Sequence, residues 1–214
     1  MPPDYSEELR LGAAGGRRIA GLDEAGRGPL AGPVFAAAVC LRLDALPSDL
    51  RDGLDDSKKL TAEKRERIAE LLPRYAETAV ARAEVEEIDR INILQASLLA
   101  MRRAAEALGS PPDVALIDGN KAPALACRCE TLVGGDGRSF SIAAASILAK
   151  VARDAEMLRL ALEHPGYGWE RNKGYGTAEH LAGLQRLGPC LHHRRSFAPI
   201  RLLLVGETAA TPCI

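Results

Sequence analysis

The 214-residue sequence has few aromatic residues and no long hydrophobic run. Aromatic residues make up 4% of the chain and apolar residues 47%, so Leu, Ile, Val and Ala must build most of the core. No apolar stretch approaches the roughly 18 uncharged residues that a membrane helix needs. The first residues have the features of neither a secretory signal nor a transit peptide. We therefore expect a soluble, cytoplasmic protein with no membrane partner, and we expect a monomer because no amphipathic stripe demands a second chain.

Cysteine is scarce and irregularly placed, with five residues at positions 40, 127, 129, 190 and 213. Only Cys127 and Cys129 are closely spaced, and no second pair follows that could complete a zinc site. The odd number and irregular spacing argue against a disulfide framework. We expect reduced thiols, as is usual in a reducing compartment.

The net charge of −1 does not by itself indicate a nucleic-acid partner. The distribution of charge is more informative, because residues 171–201 contain six Lys or Arg against the single acid Glu179. A local basic face of this kind can bind phosphates. On charge alone, an ordinary solvated surface explains it equally well.

The hydrophobic pattern predicts one α/β domain with a mixed sheet. Strand-like runs occupy 18–22, 33–43, 78–85, 114–117 and 130–133, and helical patterns occupy 61–72, 92–108, 141–162 and 177–187. We expect a loose leader at 1–17, a single domain at 18–205 whose C-terminal helical part spans about 160–205, and a flexible tail at 206–214.

Four acidic residues occupy positions at which strands are predicted to end. Asp23 and Glu24 close the first strand, Asp118 closes a later one, and Asp136 lies in a glycine-rich turn after another. Each taken singly is explained as a turn former. Together they indicate a site, because functional groups of α/β sheets gather beyond strand ends, and clustered carboxylates suit Mg²⁺ or Mn²⁺. Two such ions could assist phosphoryl displacement.

The segment Gly26-Arg27-Gly28 follows the first two acids directly. Its backbone N–H groups and guanidinium could hold a phosphate and a sugar hydroxyl. A tight turn with an exposed arginine is the simpler explanation for the triplet alone.

The order of motifs resembles the ribonuclease HII family over roughly residues 18–200. The matching blocks are G-L-D-E-A-G-R-G-P-L-A-G-P-V at 21–34, D-S-K-K-L at 56–60, I-N-I-L-Q-A-S-L-L-A-M at 91–101, L-I-D-G-N at 116–120, G-G-D-G-R-S-F-S-I-A-A-A-S-I-L-A-K-V-A-R-D at 134–154, N-K-G-Y-G-T at 172–177 and H-H-R-R-S-F at 192–197. Departures are small: Asn172 and Trp169 stand where many relatives have His and Phe.

The resemblance implies a ribonuclease-H-like fold, a mixed sheet flanked by helices with a C-terminal helical extension. It implies an endonuclease that hydrolyses the RNA strand of RNA–DNA hybrids and nicks DNA 5′ of embedded ribonucleotides, leaving 3′-OH and 5′-phosphate. Its cofactor would be Mn²⁺ or Mg²⁺, two ions per active site.

The site residues that the resemblance implies fall into two sets. The catalytic, metal-binding carboxylates would be Asp23, Glu24, Asp118 and Asp136. The substrate would be bound by Gly26, Arg27, Gly28, Lys58 and Tyr175, with the triplet and Tyr175 sensing the ribose 2′-OH, the group that distinguishes RNA from DNA.

Some assignments stay open at this stage. Lys58 and its neighbour Lys59 are equally explained as surface charges, and Tyr175 alone could be a half-buried core residue. Arg194 and Arg195 could grip the DNA strand, or could be capping or ion-paired residues. Asp154 is expected in an ion pair or a cap, with Arg153 or Arg159 nearby.

Two rival functions share part of this pattern. A junction resolvase on the same fold would keep the acids but has no need of G-R-G or K-G-Y-G-T. A non-catalytic hybrid-binding protein would need no acid cluster, because carboxylates repel phosphates unless metals intervene. The G-R-G triplet also separates the sequence from type III ribonucleases H, which vary it.

Overall fold

The computed structural model describes residues 3–54, 57 and 60–209, with side chains as far as residue 205. A five-stranded sheet forms its centre, with the strand order β3-β2-β1-β4-β5. The strands are β1 (Ile19–Ala25), β2 (Val34–Leu41), β3 (Ala76–Ala83), β4 (Val114–Asp118) and β5 (Arg128–Leu132). The first three pair antiparallel, and β1, β4 and β5 run parallel. The expected mixed sheet is therefore confirmed.

Helices cover both faces of the sheet and continue beyond it. They are α1 (Ser6–Arg10), α2 (Ser48–Gly53), α3 (Ala62–Leu71), α4 (Val85–Glu106), α5 (Phe140–Glu163), α6 (Trp169–Asn172), α7 (Ala178–Leu187) and α8 (Ala198–Ala209). The last three build the expected C-terminal helical extension, which has its own core around Trp169. No helix among the described residues is both long and apolar enough to span a bilayer.

The two faces of the sheet follow the alternation of side chains along the strands. On β2, Ala36 and Ala38 lie in the core shared with α4, whereas Ala37 and Val39 lie in the core shared with α5. On β1, Leu22 packs on the α4 side. Gly21 and Asp23 therefore face α5.

Helix α5 lies unusually close to β1, and Gly21 permits this. A Cβ atom at Gly21 would lie 2.2 Å from the backbone carbon of Ser141. The alanines at 143, 144 and 145 continue the contact with small side chains and are wholly buried. This close packing brings the polar residues of α5 next to the C-terminal end of β1.

Helix α4 consists of two helical segments that meet at Asn92. Asn92 has φ 67° and ψ 164°, a backbone conformation that only glycine adopts easily. Its Oδ1 accepts hydrogen bonds from the amides of Leu94 and Gln95, so it caps the second segment. The expected helix start at Asn92 is the start of this second segment. The first segment, which begins at Val85 with a capping box formed by Glu84 and Glu87, was missed.

The chain ends differ from the loose leader and tail that we expected. Glu8 of α1 is buried, and its Oε1 accepts hydrogen bonds from the Ser139 hydroxyl at 2.6 Å and the Ser141 amide at 2.8 Å. These bonds tie the first turn of α5 to α1. At the other end, α8 continues helically through residue 209, past the position where we expected the tail to begin.

Replacement of Gly21 by Ala should destabilise the fold strongly, because the added methyl meets backbone atoms that cannot move aside. We expect a loss of at least about 3 kcal/mol in the free energy of unfolding, measured by urea denaturation. Gly15→Ala is the matched control, since a Cβ there meets nothing within 4 Å. Equal stability of the two variants would contradict this account of the β1–α5 packing.

Candidate functional site

Three of the four sequence-predicted carboxylates meet at the ends of two adjacent parallel strands. The register pairs Leu22 of β1 with Ile117 of β4, so the next residues, Asp23 and Asp118, lie side by side. Glu24 follows on β1 and projects to the opposite face of the sheet. All three line a single cleft of about 480 Å³.

Asp23 is the most deeply placed of the three acids, with 5% of its surface exposed. Burial raises the pKa of Asp23 well above its usual value, and the negative charges of Glu24 and Asp118 raise it further. The Ser146 hydroxyl on α5 and the Glu24 amide act in the opposite direction by donating hydrogen bonds to it. Ionised Asp23 is therefore costly, and a nearby cation would relieve the cost.

The pKa of Glu24 is subject to two opposing influences, because Arg27 lies beside its carboxylate. Burial raises the pKa of Glu24, while the Arg27 guanidinium opposes that shift. Arg27 Nη1 donates to Glu24 Oε1 over 3.1 Å. Arg27, the central residue of the G-R-G triplet, thus fixes the position of one acid and also lines the cleft.

Asp118 is oriented by the glycine-rich turn that contains Asp136. The Gly135 amide donates to Asp118 Oδ1 at 2.7 Å. Asp136 follows in the same 3-10 turn, Gly135–Gly137, and is partly buried. Asp136 is therefore close in sequence to a direct partner of Asp118, although it is not among the residues that line the cleft.

The G-R-G triplet forms one wall of the cleft, and Tyr175 stands opposite Gly28. Gly26 has φ +98°, and a Cβ there would lie 1.9 Å from Arg153 Nε, so glycine is required. A Cβ on Gly28 would lie 3.6 Å from Tyr175 Cε1. Tyr175 is 46% exposed, which rules out a core role for its ring.

Two buried histidines hold the backbone of Tyr175. The Cys190 amide donates to His193 Nδ1 at 3.0 Å, so neutral His193 carries its proton on Nε2 and donates it to His180 Nε2 over 3.1 Å. His180 Nε2 also accepts from Trp169 Nε1 at 3.0 Å. The His180 proton must then lie on Nδ1, where it donates to the Tyr175 carbonyl oxygen at 2.9 Å.

Cationic side chains line the side of the cleft nearest α5. Lys150 Nζ donates to Asp154 Oδ1 at 2.6 Å, and Arg65 Nη2 lies 3.9 Å from Asp154 Oδ2. Arg65 also donates to the Ser57 carbonyl oxygen at 2.8 Å. The cleft is therefore lined by cationic as well as acidic side chains, and Asp154 is the ion-pair partner of Lys150 and Arg65.

Comparisons with known proteins place the chain in one family. The family model for ribonuclease HII matches residues 20–200. A ribonuclease HII of Paramagnetospirillum magneticum is 59% identical over 198 residues, which cover 92% of this chain and 96% of the relative. One of Ruegeria pomeroyi is 58% identical over 206 residues, covering 96% and 86%.

The chain belongs to the ribonuclease HII family. It is a ribonuclease H, an enzyme class that cleaves the RNA strand of RNA–DNA hybrids. Among solved structures, the ribonuclease H2 of Pyrococcus horikoshii OT3 has the same fold, with a TM-score of 0.74 at 24% identity, covering 91% of this chain and 100% of that one.

The structure corrects two expectations from the sequence, one for the partners of Asp154 and one for the exposure of Arg194. Lys58 lies outside the described residues. Asp154 does form an ion pair, but with Lys150 and Arg65 instead of its neighbours Arg153 or Arg159. Arg194 is wholly buried, so it is not a surface residue that grips DNA.

Sequence reasoning missed Ser146 and Lys150, both of which line the cleft. A signal for them exists in the sequence, because Ser146, Lys150 and Asp154 recur at intervals of four along the predicted central helix. Such spacing places polar groups on one face of a helix that is otherwise apolar. The role of Arg65 had no comparable signal.

We expect the buried histidine pair, His180 and His193, to make the folded protein less stable in acid. Burial, and secondarily His180, lowers the His193 pKa to about 3, well below the ordinary 6.5, and burial also lowers the His180 pKa. The unfolded chain binds these protons below pH 6.5 and the folded chain does not, so the free energy of unfolding should fall as pH falls from 6.5 towards 3.

Urea denaturation at a series of pH values measures this effect. Each proton taken up on unfolding contributes about 1.4 kcal/mol per pH unit. His193→Asn removes one titrating ring and should flatten the dependence between pH 6.5 and 5. An unchanged slope in that variant would show that the histidine pair is not the source.

Proposed function

We propose that this ribonuclease HII nicks DNA 5′ of embedded ribonucleotides, hydrolyses the RNA strand of hybrids, and leaves 3′-OH and 5′-phosphate ends. The observation that supports this best is the shared cleft. Buried Asp23, with Glu24 and Asp118, opens onto the same space as Gly28 and Tyr175. One nucleotide in the cleft could therefore contact both the acids proposed for hydrolysis and the residues proposed to sense the ribose.

The donor groups of the cleft fit hard divalent cations. All three acids that line it offer carboxylate oxygens, the ligands that Mg²⁺ and Mn²⁺ prefer. The raised pKa of Asp23 indicates that its ionised form is destabilised, and a nearby cation would stabilise that form. We propose that Asp23, Glu24, Asp118 and Asp136 hold two such ions during catalysis. When bound, the ions supply stabilisation for the charge on the attacking and leaving oxygens.

The chain's own residues set the geometry around the acids. The Gly135 amide directs one oxygen of Asp118, and Arg27 directs one oxygen of Glu24. The Ser146 hydroxyl holds Asp23 from the α5 side. Carboxylates that are already held in place lose little conformational entropy when substrate binds. This favours reaction in one defined geometry.

Selection for ribose comes from the wall that carries the G-R-G triplet. Backbone groups of Gly26, Arg27 and Gly28 and the Tyr175 hydroxyl would hydrogen-bond the 2′-OH, and the Tyr175 ring would stack on the neighbouring sugar. A deoxyribonucleotide would leave those groups unpaired, and an unpaired polar group costs about 1–3 kcal/mol. Lys58 would contact a phosphate near the scissile bond.

The direct test uses an end-labelled DNA duplex that contains one ribonucleotide, with all-DNA and all-RNA duplexes as controls. Each is incubated with Mg²⁺, with Mn²⁺ and with chelator. We expect a metal-dependent nick 5′ of the ribonucleotide and no cut in either control. No cleavage with either metal by the folded protein would refute the proposal.

Replacement of Asp23 by Asn should abolish cleavage, because it removes the carboxylate at the centre of the cluster. Binding to an RNA–DNA hybrid should stay within about tenfold of the wild-type affinity, since the other cleft residues are unchanged. Asp44→Asn, an exposed acid that does not line the cleft, is the matched control. Near-normal cleavage by the Asp23 variant would contradict the assignment.

A further inference from the structure

Two buried arginines support the wall of the cleft: Arg153, which belongs to its lining, and Arg194, which lies beneath the G-R-G triplet. Arg194 has no exposed surface and Arg153 has 1%. Among the residues that the structure describes, both guanidinium groups donate to backbone carbonyl oxygens and neither forms an ion pair. Buried charges are usually paired with an opposite charge, so an arginine without one calls for another explanation.

Backbone carbonyl groups surround Arg194 in place of an acid. Its Nη2 donates to the Gly26 carbonyl oxygen at 2.6 Å, and its Nη1 donates to that of Arg27 at 2.9 Å. Its Nε donates to the Gly32 carbonyl oxygen at 2.9 Å. One guanidinium therefore binds both ends of the loop that begins with the G-R-G triplet.

Arg153 ties this loop to the loop that carries Tyr175. Its Nη2 donates to the carbonyl oxygens of Ala31 at 3.3 Å and Lys173 at 3.0 Å. Its guanidinium carbon lies 6.0 Å from the centre of the Tyr175 ring. The Leu30 amide adds a direct bond to the Gly174 carbonyl oxygen at 2.8 Å. The two walls of the cleft thus share one set of buried supports.

The direction of the carbonyl groups fixes the direction of the neighbouring amides. In a trans peptide the C=O of one residue and the N–H of the next point opposite ways, and the described chain contains no cis peptide. Because the carbonyls of Gly26 and Arg27 point inward to Arg194, the amide N–H groups of Arg27 and Gly28 point away from it. Both residues line the cleft.

We propose that Arg194 is a positioning residue that aims the Arg27 and Gly28 amides into the cleft, so that they bind the ribose 2′-oxygen as a preformed pair of donors. The inference rests on the proposed function for the identity of the ligand. Burial lowers the Arg194 pKa to about 9, so the guanidinium keeps its charge at neutral pH and polarises both peptide groups towards the substrate.

The choice of arginine follows from the geometry. A lysine ammonium is one point donor group, whereas the planar guanidinium presents a fixed fork that can bind several carbonyls at once. Arg194→Lys keeps the charge but should hold only part of the loop. Arg194→Met removes the charge and all of the hydrogen bonds while filling similar space.

Hydrogen–deuterium exchange without substrate tests the support directly. In the segment 26–33, we expect amide exchange at least about tenfold faster in Arg194→Met than in the wild type, with Arg194→Lys between them. Arg42→Met is the matched control, because Arg42 also donates to a backbone carbonyl, that of Arg74, but at the far end of the sheet. Wild-type exchange in both Arg194 variants would overturn the proposal.

The preference for a duplex with one ribonucleotide over an all-DNA duplex gives a second readout, because a general loosening of the protein would not change that preference. In an Asp23→Asn background, which prevents cleavage, the Kd of a duplex with one ribonucleotide is compared with that of the all-DNA duplex. We expect Arg194→Lys to reduce the preference for the ribonucleotide about tenfold while the affinity for all-DNA changes less than about threefold. Retained preference in a variant with accelerated exchange would also overturn the proposal.

The exchange and binding measurements distinguish a failure of this proposal from a failure of the proposed function. If the Asp23→Asn protein with Arg194 intact shows no preference for the ribonucleotide, the proposed function fails, and the exchange data still decide whether Arg194 holds the loop. If Arg194→Met does not fold, Arg194→Lys carries both measurements.

Discussion

The buried carboxylate of Asp23 is the constraint on which the rest of the site depends. It lies beside Asp118 through the parallel pairing of β1 with β4, and beside Glu24 along its own strand. Burial and two negative neighbours together raise its pKa, so the cluster is stable in the ionised state only when positive charge is close. The other features of the cleft are consistent with this need for positive charge close to the acids.

Small residues and internal arginines make the arrangement possible. Gly21 lets α5 approach β1 closely enough for Ser146 to contact Asp23. Gly26 leaves room for Arg153, and Arg194 occupies the space behind the loop. The protein therefore places positive charge behind the backbone of the G-R-G triplet and negative charge where β1 and β4 end at the cleft. Under the proposed function, charges that are already in place before substrate binds would lower the cost of reaching the transition state.

Much of this could be predicted from the sequence, since the strand-ending acids and the ordered motifs fixed the family and three of the cleft carboxylates. The sequence could not show that Arg194 is buried, because the same pattern of charge suits a surface that binds DNA. It could not show the first segment of α4 either, because Asn92 adopts a conformation that local propensity disfavours. The order of α1 was equally hidden, since Glu8 Oε1 accepts its hydrogen bonds from serines more than 130 residues away.

Anomalous diffraction from crystals soaked in Mn²⁺ tests the central claim most directly, because it locates the ion independently of any reaction. The account predicts anomalous density in the cleft within direct coordination distance of the carboxylate oxygens of Asp23 and Asp118, with Glu24 or Asp136 completing the site. Well-ordered carboxylates with no ion between them at saturating Mn²⁺ would contradict it.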